Sequence, residues 1–165
     1  MKSVKTIIIL ITVPLVIGVG FWFSYNFASG SYPYAETYEL DFSEEEVKQA
    51  VNEFKQEHPE YTVPKVTIEN KGFFDLLDGQ SKEPSHWYNI YFYYKNENRI
   101  LYTWTRPFDE NKTAFALVSI NNGLNIGNWK EINKDFSCTE NKKEKKKFEE
   151  QILNKIIENL KSRKY

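Results

Sequence analysis

The sequence predicts an α+β fold: an N-terminal transmembrane helix, then a helix, an antiparallel meander of four to five strands and a C-terminal helix packed on the sheet. Three observations predict the folded part. Ser43 and Glu46 have capping-box spacing ahead of an apolar face at helical period. Trp87–Arg106 holds two aromatic runs around a polar Lys95-Asn96-Glu97-Asn98-Arg99 turn, which is hairpin punctuation. Phe148, Ile152, Leu153, Ile156, Ile157 and Leu160 form one broad stripe within Asn141–Leu160. Strands gathered between terminal helices favour α+β over α/β.

In chain order, Thr6–Phe23 runs without a charge, and continued to Phe27 it reaches the roughly 20 residues that a helix needs to cross a bilayer. Trp22 and Tyr25 sit at its far end, where interfacial aromatics collect. Lys2 and Lys5 precede the run, while Glu36, Glu39, Asp41 and Glu44–Glu46 follow it. This asymmetry predicts a cytoplasmic amino terminus and a domain outside. The competing reading is a secretory signal cleaved at Ala28-Ser29-Gly30, which would make the protein secreted. The expected organisation is residues 1–28 as anchor or signal peptide, 29–40 as linker and 41–165 as one domain.

The first helix should start at Ser43, with Phe42 and Val47 as staple, bury Val47, Ala50, Val51 and Phe54, and stop near His58 before Pro59. Tyr61–Glu69 reads as an edge strand, or one that begins after Pro64. Asn70–Ser85 reads as a long loop whose Phe73-Phe74 and Leu76-Leu77 tuck against the body. Loops of this length are often functional, so Phe73 and Phe74 are candidate binding residues. In the hairpin, Lys95 opposite Arg99 would put Tyr88, Ile90, Phe92, Tyr94, Ile100, Tyr102 and Trp104 on the core face. Tyr91 and Tyr93 then fall on the other face, as candidates for stacking on a ligand. Thr113–Ile120 is the next strand, with Ala114, Ala116, Val118 and Ile120 on the side a helix approaches. Asn122-Gly123 suggests a type I′ turn, after which Leu124–Trp129 returns antiparallel. The element order over Ser43–Trp129 resembles cystatin-like and related helix-on-sheet architectures, with no motif carrying the resemblance.

Composition narrows the functions. With a formal net charge of −1, the chain is not a nucleic-acid binder driven by overall charge. One cysteine, Cys138, and two histidines supply no disulfide and too few ligands for most His/Cys metal sites, so no cofactor or metal is expected. Asp75 and Asp78 lack calcium-loop spacing. His58 and His86 have no flanking sequence that promises a base and a pocket, which leaves a hydrolase using either as an alternative only. Residues 36–135 carry an acidic surplus and 140–165 a basic one, concentrated in Lys142, Lys143, Lys145, Lys146 and Lys147. Those lysines either pair along the helix, as Lys145–Glu149 and Lys146–Glu150, or meet lipid phosphates or an acidic partner. The expectation is a non-enzymatic, single-pass membrane protein, anchored through residues 6–27, whose domain binds a protein in an immunity- or inhibitor-like role. A carbohydrate- or lipid-binding envelope domain is the alternative.

Overall fold

The computed structural model describes residues 32–69, 71–80 and 86–163. The expected span over residues 6–27 lies outside these. Among the described residues no helix is long and apolar enough to cross a membrane. The fold is α+β: β1 (Glu36–Leu40), α1 (Glu44–Glu57), β2 (Val66–Ile68), β3 (Lys71–Phe74), β4 (Gly79–Gln80), β5 (Tyr88–Tyr94), β6 (Arg99–Asp109), β7 (Lys112–Asn122), β8 (Asn125–Ile126), β9 (Trp129–Glu131), α2 (Cys138–Phe148), a π-helical stretch (Glu149–Leu153) and α3 (Asn154–Ser162). The main sheet has the order β1-β7-β6-β5-β4, and β9 pairs with β7 beyond the end of β1. A small sheet, β3-β2-β8, stands apart from it.

Local chemistry sets the helices. Ser43 caps α1 and Glu46 returns the bond to its amide, and Ser137 and Glu140 do the same for α2. The last helix therefore begins three residues earlier than the sequence suggests, so its lysines sit beyond the first turn and oppose the helix dipole less. All three helices cover one face of the sheet. Val47, Ala50, Val51, Phe54, Phe148, Ile152, Leu153, Ile156 and Leu160 meet Ile90, Phe92, Tyr94, Leu101, Phe115, Leu117 and Ile120 there. Thr113 Oγ1 donates to the Phe42 carbonyl at 2.8 Å, fixing the entry to α1 against β7.

Several expectations are corrected. Glu36–Leu40 is a strand of the sheet, not linker. The 70–85 segment contains two short strands, and its apolar residues alternate: Phe74 and Leu76 turn inward while Phe73 and Leu77 are 77% and 76% exposed. The β5–β6 connection is a four-residue turn, with Lys95–Glu97 as a 3₁₀ turn and Asn98 left-handed at φ 51°, so Tyr94 rather than Lys95 faces Arg99. That one-residue slip sends Ile100, Tyr102 and Trp104 to the face of Tyr91 and Tyr93 and brings Leu101 into the core. In β7 the register shifts between the partners of Tyr102 and Thr103. Phe115 and Leu117 therefore face the helices before the bulge and Ile120 after it, while Ala114 and Ala116 face away. No type I′ turn forms at Asn122-Gly123, where Gly123 has φ +80° and Asn122 no positive φ. The buried Asn121 amide instead donates to the carbonyls of Asn122, Gly123 and Asn125 and accepts from the Asn128 amide. A wide loop results, in which β8 runs parallel to β2 and Trp129–Glu131 makes the antiparallel return.

Candidate partner-binding groove

Three segments distant in sequence meet beside the end of β5: the Pro59–Tyr61 turn with the residues up to Pro64, the 93–97 corner, and Lys147 with Gln151 on the last helix. Two hollows lie there. One is bounded by Tyr61, Tyr94, Glu97, Lys147 and Gln151, the other by Pro59, Thr62 and Pro64, and Glu60, Tyr93 and Lys95 border both. They form one groove with Tyr93 at its middle. The aromatic wall is built from the core outward. Phe54 packs edge-on against Phe92 at 6.0 Å and supports Tyr61 at 5.1 Å, and Tyr61 meets Tyr94 at 6.2 Å.

Charge is arranged in a row. Lys147 pairs with Glu97 and sits 3.9 Å from the centre of the Tyr94 ring. Glu97 also accepts from Arg99 Nη1 at 2.8 Å, and Arg99 grips Glu144 at 3.0 and 2.9 Å. The Lys147 hydrogen bond, with Arg99 beside it, holds the Glu97 carboxyl below the usual carboxylate range. The Tyr94 phenol is different. The residue is 5% exposed, and its Oη is buried without a hydrogen-bond partner among the described residues. Burial, with Tyr61 and Glu144 nearby, pushes it far above its ordinary value, so it stays a donor.

Tyr38 behaves alike: burial and its 2.9 Å bond to Glu149 raise it just as strongly. For an acid raised by folding, the folded state holds its proton above pH 10, where the unfolded state has lost it. Stability is therefore full below about pH 10 and is lost as pH rises further. In a spectrophotometric titration Tyr38 and Tyr94 are expected to ionise only as the chain unfolds. Two phenols titrating normally with the fold intact would refute this.

The structure brings together Tyr93 and Lys147 of the sequence-derived candidates and separates the rest. Tyr91 lies on the face away from the helices, stacked on Tyr102 at 5.2 Å and near Trp129 at 6.5 Å. Phe73 is exposed on β3 and Phe74 half-buried behind it. Lys142 and Lys143 are exposed, Lys145 bonds Glu36 at 3.0 Å, and Lys146 lies 3.6 Å from Glu150. Lys145 does not make the expected pair with Glu149, which is taken by Tyr38. His58 follows α1 with its ring 5.0 Å from Phe54 and its Nδ1 3.5 Å from Glu60, and His86 is exposed. Cys138 is exposed in the first turn of α2. Asp75 lies 3.7 Å from Lys65, and Asp78 is held by Lys55.

Sequence reading missed Tyr61, Tyr94 and Gln151. A tyrosine in an otherwise apolar strand face was the available signal, since a buried phenol usually needs a partner. No family model matches this chain, nor does any curated protein or solved structure.

Proposed function

We propose that this is a single-pass membrane protein, anchored through residues 6–27, whose domain outside the cytoplasm binds a protein partner in the groove at Tyr93 and catalyses no reaction. The anchor is supported by the uninterrupted apolar run and by the lysines before it and carboxylates after it. The binding site is supported by one observation above the others: Tyr94, whose phenol oxygen is buried without a hydrogen-bond partner among the described residues, lines a groove walled by aromatic rings. A polar group left unsatisfied by folding costs stability, and such a cost is met where a ligand completes the bond. The sharpest form of the proposal is an immunity- or inhibitor-like protein that masks an enzyme or toxin at the membrane. The carbohydrate alternative has less support, because Trp104 is buried and Tyr91 packs flat on Tyr102.

Tyr94→Phe separates stability from binding. It removes the orphan hydroxyl and keeps the ring, so it is expected to raise the unfolding free energy by about 1 kcal/mol while weakening the partner complex. A variant that is less stable would show that the hydroxyl has a bond within the fold. For the site itself, a photoreactive phenylalanine is placed at position 93 of the full-length chain in its native membrane. A control at Asn111 lies at the opposite end of β6. One defined protein adduct from position 93 and none from 111 is the expected result. Equal labelling from both positions, or none from either, would refute the groove.

A further inference from the structure

Resting on that reading, we infer that the groove receives its partner as an added β-strand, held by the main chain of Tyr93. The edge of β5 is occupied residue by residue. β4 pairs with it at Tyr88 and Asn89 and goes no further. Tyr91 comes next, and side chains serve its main chain: its amide donates to Asp78 Oδ1 at 2.9 Å and its carbonyl accepts from Lys55 Nζ at 2.8 Å. Those bonds show that the Tyr91 main chain points away from β6. Residues two apart in a strand point their amide and carbonyl the same way, so the Tyr93 main chain also points outward. Among the described residues the amide and carbonyl of Tyr93 make no hydrogen bond outside the strand ladder, and its phenol donates to Asn98 at 2.9 Å.

Proteins normally cover or blunt such an edge, because it templates pairing with another chain. Here positions 89 and 91 are covered and 93 is left open, in the middle of the groove. Consecutive residues of an added strand project to opposite faces. One side chain would enter the hollow where the Lys147 ammonium and the Gln151 amide can both donate. The next would lie between Pro59 and Pro64. The occupant this selects is an extended peptide without proline at the pairing position, with a carboxylate or carboxamide side chain next to a small apolar one.

The test uses the full-length chain in detergent micelles and displayed random peptides as the probe. The best binders are synthesised. Tyr93 is then replaced by its α-hydroxy-acid analogue, which changes the amide N–H to an ester oxygen and keeps the phenol. That N–H points away from β6 and makes no bond outside the strand ladder, so the ester variant should unfold at the wild-type temperature. Enriched peptides carrying the acceptor–apolar pair, with affinity about tenfold weaker for the ester variant, support strand addition. N-methylation of the peptide should abolish binding at the residue facing Tyr93 and be tolerated at its neighbours. Equal affinity for the ester variant, indifference to N-methylation, or no enriched peptide would overturn it. An adduct from position 93 in the native membrane together with equal affinity for the ester variant would leave the groove standing and remove the strand. No adduct would remove both.

Discussion

Phe54→Ala is expected to lower the unfolding free energy by about 4 kcal/mol, read as a shift of the denaturant midpoint at unchanged slope. Against a total of about 5–15 kcal/mol for a domain of this kind, the loss is large. Phe54 is fully buried and lies between α1, the sheet and the Pro59–Tyr61 turn, with Phe92, Tyr61 and His58 around its ring. Truncation leaves a void that three elements would have to close at once. It also removes the support behind Tyr61, so the groove is expected to loosen even where the fold survives. A loss below about 1 kcal/mol would show that the site collapses freely and that Phe54 does not brace the groove.

Asp78→Ala is expected to cost about 3 kcal/mol. Breaking a buried ion pair leaves its partner uncompensated, typically at 3–5 kcal/mol. The lower end applies because the Lys55 and Asp78 side chains retain 14% and 16% exposure. The same substitution strips the Tyr91 amide of its acceptor. Burial pushes the Lys55 ammonium below its ordinary value and Asp78 pulls it back up, so losing Asp78 lowers it further. A base lowered by folding is neutral in the folded chain while still charged in the unfolded one, over the window up to the ordinary lysine value near 10.4. The unfolded state then binds more protons, and stability rises with pH across that window. The deficit of the variant relative to wild type should therefore shrink as pH rises. A deficit that does not change with pH would assign the whole effect to the Tyr91 bond. Lys55→Met combined with Asp78→Leu should recover the part of the loss owed to the unpaired ammonium, and not the part owed to the Tyr91 main chain, which both side chains serve.

Both predictions concern residues whose place was only half legible in the sequence. Phe54 was readable, because Ser43, Glu46 and Pro59 fix where α1 starts and stops and helical period does the rest. Asp78 was not, since nothing local says that a carboxylate in a loop will meet a lysine 23 residues earlier. The hairpin at Trp87–Arg106 was legible as a hairpin but not in register. Whether a turn uses three residues or four depends on Asn98 adopting a left-handed conformation, and one residue inverts every face. The Asn122-Gly123 signal failed for a related reason. Asn121, one residue upstream, spends its amide on the loop carbonyls and holds the chain open where a tight turn would close it. The groove was the least legible feature. Its walls come from three segments that local pattern treats separately, and the openness of Tyr93 depends on where β4 ends.

The π-helical stretch at Glu149–Leu153 has a consequence for how the chain tolerates change in length. Eight residues at about 100° each would leave Ile156 roughly 80° out of line with Phe148, yet both are wholly buried. The wider turns of the π stretch absorb the difference, which amounts to one residue more than a straight helix needs. Losing Gln151 would return this stretch to an ordinary helix and leave Ile156 and Leu160 facing the core. Losing a residue anywhere within α3 would swing the positions after it about a quarter-turn toward water. Deletions are thus unequal along this helix, and the place that forgives one lies against the groove. The wall of the groove can be edited there while the scaffold keeps its phase.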